Sequence, residues 1–240
     1  MSSMSGDVIR AIPGFCQPVS SLSHLAGAVI AVAAGLPLVK LARGCPHRVL
    51  AIRVYVSCVV AMLAVSGLYH SFERGCSARI VMQRMDYFAI WFLIAGTFTG
   101  IHGIMFEGRW RRGVLTFTWG YVAVGVSLQA IWFNVFSGVP GLVLYLGLGW
   151  VGVVSIVKLG RRLGYRAVRP IWLAGVAYSA GAILEATGHP VVFRGWVGPH
   201  EVFHTAVIIG VALHWSFVRK LLLLNLPVAS EPVPLSAMAA

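Results

Sequence analysis

The chain has 240 residues, of which 58% are hydrophobic and 11% charged, and its formal net charge is +12. An ordinary soluble domain carries about 25% charged residues, so this composition, with a mean hydropathy of +0.84, excludes a water-soluble globular protein and points to a bilayer. The basic excess excludes a nucleic-acid partner as well, because the arginines and lysines fall in short connections between apolar runs rather than on one continuous face.

A helical bilayer span needs roughly 20 predominantly apolar residues. Taken in chain order, stretches of that kind lie at 22–39, 54–72, 87–106, 113–133, 139–157, 171–187 and 199–218. Backbone groups have no water partner in hydrocarbon, so each span is a helix or part of a closed barrel. The runs are unbroken rather than alternating, which selects helices. The expected fold is therefore an all-α membrane protein, a seven-transmembrane-helix bundle covering 22–220. Residues 1–21 form an N-terminal segment without the charged-then-apolar order of a cleavable signal peptide, and 221–240, rich in small residues and proline, read as a disordered tail.

Fourteen basic residues, among them Arg43, Arg109, Arg161 and Arg219, fall at one end of the spans and five, Arg10, Arg74, Arg79, Arg84 and Arg194, at the other. The positive-inside rule places the first set in the cytoplasm and the N terminus outside, in a multi-pass protein of the cell (inner) membrane. Cys16, Cys45, Cys58 and Cys76 show no C-x-x-C spacing and read as small apolar residues.

An ionisable side chain in hydrocarbon costs several kcal/mol unless it is paired or serves a function. Span one opens with His24, span two ends in "SGLYHS" with Ser66 and His70 on one helical face, and span three opens with Asp86. Span six ends near Glu185, and span seven opens with His200, Glu201 and His204. Starts of odd spans and ends of even spans share one membrane face, so these groups occupy a single layer. His70, His200 and His204 then supply three imidazoles around a divalent ion with one open position, the donor set of a catalytic zinc site. Asp86 and Ser66 orient the water and a ligand histidine. His47, His102, His189 and His214 receive no role.

"HEVFH" from His200 to His204 also matches the H-E-x-x-H pattern of zinc peptidases, whose glutamate activates water. On a helix of 3.6 residues per turn Glu201 points about 100° away from His200, and no second peptidase motif is present. An intramembrane zinc protease stays open as an alternative reading of the pattern.

"SHLAGAV", "SGLYHS" followed by "RMDYFAIWFLIAGTFTGIHG", and "GPHEVFHTAVIIGVALHW" resemble the three signature regions of the hemolysin III family, relatives of the adiponectin and progestin receptors. The resemblance runs from about Ser20 to Trp215. It implies seven helices and a zinc site with His70, His200 and His204 as ligands supported by Asp86 and Ser66. The more distant alkaline ceramidases suggest hydrolysis of a lipid amide. Where family members often carry a glutamate and an asparagine ahead of the first histidine, this chain has Gln17 and Ser20. The expected activity is a zinc-dependent hydrolase acting on a lipid amide or ester, with Asp86 managing the proton. Two other classes stand beside it: a lipid sensor or receptor whose zinc is structural, and a channel or pore-forming cytolysin.

Overall fold

The computed structural model describes residues 9–224. Among these, the secondary structure is helical: α1 (Pro18–Leu41), α2 (Pro46–Ser71), α3 (Ser77–Met105), α4 (Gly108–Ile131), the short α5 (Phe133–Phe136), α6 (Val139–Val151), α7 (Val153–Leu163), α8 (Tyr165–Thr187) and α9 (Pro199–Leu224). With α6 and α7 taken as one span, 7 helices among the described residues are long and apolar enough to cross a membrane. The protein is a multi-pass, seven-helix integral membrane protein.

The helices overrun the apolar stretches seen in the sequence. α1 starts at Pro18 rather than 22, α9 continues to Leu224, and the remainder of the expected tail, 225–240, lies outside the described residues. Proline at the first turn favours the early starts of α1 and α2, since its missing N–H falls where a helix has no partner for one. The largest difference is α3, which begins at Ser77, ten residues before the apolar run at 87. The Cys76 sulfur caps it by accepting from the Arg79 N–H at 3.4 Å. This extension carries Arg79 back over the end of α2, where its guanidinium donates to the Phe72 carbonyl.

Fully apolar faces give no hydrophobic drive between helices in lipid, so association depends on close packing and buried hydrogen bonds. α3 supplies the packing with Gly96, Gly100 and Gly103, one face at i, i+4 and i+7, set against α2. A Cβ at Gly100 would meet the Tyr55 side chain at 3.1 Å, and one at Gly96 would meet Cys58 Cβ at 2.5 Å. A buried amide supplies the hydrogen bonds on the other side of α3. Gln129 Oε1 accepts from Trp91 Nε1 at 2.9 Å and from the Tyr145 hydroxyl at 3.0 Å, and its Nε2 donates to the Phe136 carbonyl at 2.9 Å. One side chain of α4 thereby ties α3, α5 and α6 together with its polar atoms satisfied, as a buried amide requires.

The expected fifth span is broken at Gly152, where the Gly152 N–H bonds the Gly149 carbonyl at 3.1 Å and α6 passes into α7. A Cβ at Gly152 would lie 3.2 Å from the Phe98 ring edge, so the glycine lets α3 approach.

Candidate metal centre

The end of α2 and the start of α9 meet at the same end of the bundle, as the layer argument requires. His200 Nε2 lies 3.2 Å from His70 Nε2 and 3.0 Å from His204 Nε2. A ligand nitrogen from each of the three falls within 4.8 Å of the other two. His70 and His204 are buried, and His200 is partly so.

The surroundings set the proton positions. Gln17 Oε1 receives Arg79 Nη2 at 2.6 Å, and a guanidinium can only donate, so this atom is an acceptor. The same oxygen lies 2.8 Å from His70 Nδ1, which must therefore carry the proton. His70 Nε2 is left with its lone pair. Glu185 Oε1 likewise lies 3.0 Å from His200 Nδ1 and leaves the lone pair of that ring on Nε2. The two lone pairs point at each other across 3.2 Å, an arrangement that repels unless a cation or proton lies between. Nitrogen ligands of a tetrahedral zinc at about 2.0–2.1 Å stand roughly 3.3 Å apart. The donor set and its spacing fit such an ion, and His70, His200 and His204 could hold it.

The carboxylate of Asp86 lies 4.0 Å from His70 Nε2 and accepts a hydrogen bond from Ser66. Asp86 sits well inside α3 because of the extension at its start. All five residues singled out from the sequence are thus brought together.

Three neighbours had no role assigned from sequence. Gln17 and Glu185 hold the outer nitrogens of two ligand rings. His24 of α1 is buried with its ring centroid 4.0 Å from that of His204 and its Nε2 3.5 Å from the His204 carbonyl. His24 and Glu185 were visible as members of the polar layer; Gln17 was visible as a departure from a motif.

Glu201 has a different task. Its Oε2 accepts the Gly198 N–H at 3.0 Å, the reach of a third helical residue back to the N-cap. Its Oε1 accepts from Ser20 Oγ at 3.0 Å, pinning α1 to α9. Both oxygens are engaged in fixing the ligand helix. His102 is likewise accounted for by packing, with Nδ1 2.9 Å from the Phe98 carbonyl and Nε2 2.9 Å from Ser155 Oγ.

The histidine cluster stands at one end of a cavity of about 480 Å³, lined mostly by apolar side chains of α3, α6, α8 and α9 and extending past Leu93 and Trp172 to His102 and His214. That volume suits a small-molecule ligand, and its walls suit hydrocarbon.

Comparison with known proteins agrees with the sequence signatures. A family model described as "Haemolysin-III related" matches residues 17–215. The chain is 26% identical to "Hemolysin-3" of Bacillus cereus over 196 residues, 81% of this chain and 86% of that protein. It is 22% identical to "Hemolysin-3 homolog" of Bacillus subtilis (strain 168) over 195 residues, 80% of this chain and 88% of that protein.

Proposed function

The chain belongs to the haemolysin-III-related family, and from that premise we propose that it is a zinc-dependent hydrolase of a lipid amide or ester, working inside the membrane. One observation carries the reading: three imidazole nitrogens converge at the mouth of a long apolar cavity, with the Asp86 carboxylate beside them.

In this proposal His70, His200 and His204 are the ligands. A bound zinc ion supplies Lewis acidity toward a carbonyl oxygen and brings the pKa of a water near neutrality. The protein's residues do the rest. Gln17 and Glu185 keep both ring lone pairs inward. Asp86, held by Ser66, accepts the proton released from water and returns it to the leaving nitrogen or oxygen. The apolar cavity takes the acyl chain and orients its carbonyl toward the histidines, so the hydrocarbon positions the reacting bond. The proposal keeps the basic ends of the helices in the cytoplasm, as the arginine distribution requires, with the site near the outer face of the cell membrane.

The test is metal analysis of purified protein followed by turnover on a panel of lipid amides and esters. Zinc at one per chain, lost in the His200→Ala, His204→Ala double variant, is expected. Asp86→Asn should keep zinc and fold while losing hydrolysis. If wild type turns over no lipid while Asp86→Asn merely changes thermal stability, the ion is structural and the protein a sensor.

A further inference from the structure

The cavity has a second polar place that the reaction does not use. Beyond the histidine cluster the polar groups on its walls are held within the protein, Thr97 donating to the Leu93 carbonyl at 2.9 Å, the Tyr145 hydroxyl donating to Gln129 Oε1 at 3.0 Å and Ser179 Oγ accepting from Trp150 Nε1 at 3.0 Å, whereas Tyr178 of α8 and His214 of α9 lie with ring centroids 5.8 Å apart. The Tyr178 hydroxyl and His214 Nδ1 are both buried and, among the described residues, without a hydrogen-bond partner. His214 as a whole is 9% exposed. The Tyr55 hydroxyl, also buried and unpartnered, lies within electrostatic range of Tyr178. An unpartnered buried polar atom costs about 1–3 kcal/mol, and most such atoms in folded proteins are satisfied. His102, further along the same cavity, is satisfied through both ring nitrogens. The contrast marks Tyr178 and His214 as groups whose partner is brought by something else.

The fold makes room for them deliberately. A Cβ at Gly210 would strike the Tyr178 ring at 2.4 Å or beyond, so glycine there lets the phenol lie across α9 toward His214. Phenol and imidazole together offer a donor and a group that can accept. One hydroxyl satisfies both, accepting from Tyr178 and donating to His214 Nδ1; a methylene satisfies neither.

We propose that Tyr178 and His214 form a second subsite that binds a hydroxyl carried part-way along the hydrocarbon chain of the ligand, making the ligand class a chain-hydroxylated lipid. This rests on the proposed acyl-binding role of the cavity. His214 follows His204 by ten residues on one helix, a rise of roughly 15 Å, which puts the hydroxyl at about the twelfth carbon of a straight chain whose head group is at the histidines.

The experiment measures binding of radiolabelled octadecanoic acid and of its twelfth-carbon hydroxy derivative to the purified full-length protein in lipid nanodiscs. Wild type is expected to bind the hydroxy acid about three- to tenfold more tightly, the scale of one or two buried hydrogen bonds. Tyr178→Phe and His214→Leu should each bring the two affinities to parity, and continued binding of the unsubstituted acid, at least as tight as in wild type, certifies their fold. Equal or weaker binding of the hydroxy acid by wild type overturns the subsite, its polar groups then holding ordered water only, and leaves the acyl-binding role intact. Failure to bind either acid overturns the acyl-binding role, and the subsite with it.

Discussion

Gln17 Oε1 stands 2.8 Å from His70 Nδ1 and 2.6 Å from Arg79 Nη2, so one amide oxygen joins the chain before α1, the end of α2 and the extension of α3. The arginine polarises the amide and the amide fixes the ring, leaving His70 Nε2 for an ion. Outer partners of this kind typically change metal affinity by 10–100-fold when removed. Gln17→Leu is therefore expected to weaken zinc binding by about tenfold or more, read by competition with a chelator of known affinity. Gln17→Glu keeps the acceptor and adds a negative charge beside Arg79 and should bind at least as tightly as wild type. Equal affinity for wild type and Gln17→Leu would remove this role.

Glu185 occupies the corresponding position for His200, 3.0 Å from its Nδ1, but it is more open to solvent, with 39% of its side chain exposed. Water can replace part of what it supplies. Glu185→Ala should thus weaken zinc binding less than Gln17→Leu does, by about tenfold at most. Measuring both variants in the same chelator competition ranks them. The reverse order would mean that exposure does not govern these outer contacts.

How much of this was legible in the sequence depends on whether a residue acts through spacing or through distance. His200 and His204 share a face because they are four apart, and Ser66 and His70 likewise. The layer that collects them with Asp86 follows from helix count alone, since every second connection lies on one side. Gln17 was beyond reach of that logic. It lies ahead of the first span, and its role depends on Arg79, brought back by a helical extension that hydropathy does not mark because its residues are mixed polar and apolar. The tie between Ser20 and Glu201 joins residues 181 apart in the chain, and no periodicity encodes it. Gln129 gave no signal in a reading confined to ionisable groups within the spans, although it organises three neighbouring elements.

The peptidase and hydrolase readings of "HEVFH" separate on Glu201. As a general base its loss would abolish activity. As the cap of α9 and the partner of Ser20 it is structural, worth about 1.5–3 kcal/mol for each hydrogen bond to a charged group. Glu201→Gln is expected to lower the thermal midpoint by several degrees, yet to retain stoichiometric zinc and most of the turnover at low temperature. Ser20→Ala should lower the midpoint by a smaller amount in the same direction. Complete loss of turnover in a folded, zinc-loaded Glu201→Gln protein would restore the peptidase-like role.

The α2–α3 contact offers a test of the fold independent of the metal. At Gly96 a Cβ would stand 2.5 Å from Cys58 Cβ, and at Gly100 it would meet the Tyr55 side chain at 3.1 Å. Neither neighbour is the free end of a flexible side chain. The helices must move apart, and close approach is what holds helices together in lipid. Gly96→Val should destabilise by about 1–3 kcal/mol, as overpacking does. Gly120, whose Cβ would meet nothing within 4 Å, provides the control: Gly120→Ala should leave stability unchanged or raise it, since glycine is a poor helix former. Reversible unfolding in detergent with increasing denaturant measures both. A Gly96→Val protein as stable as wild type would mean that α2 and α3 do not meet along this glycine face.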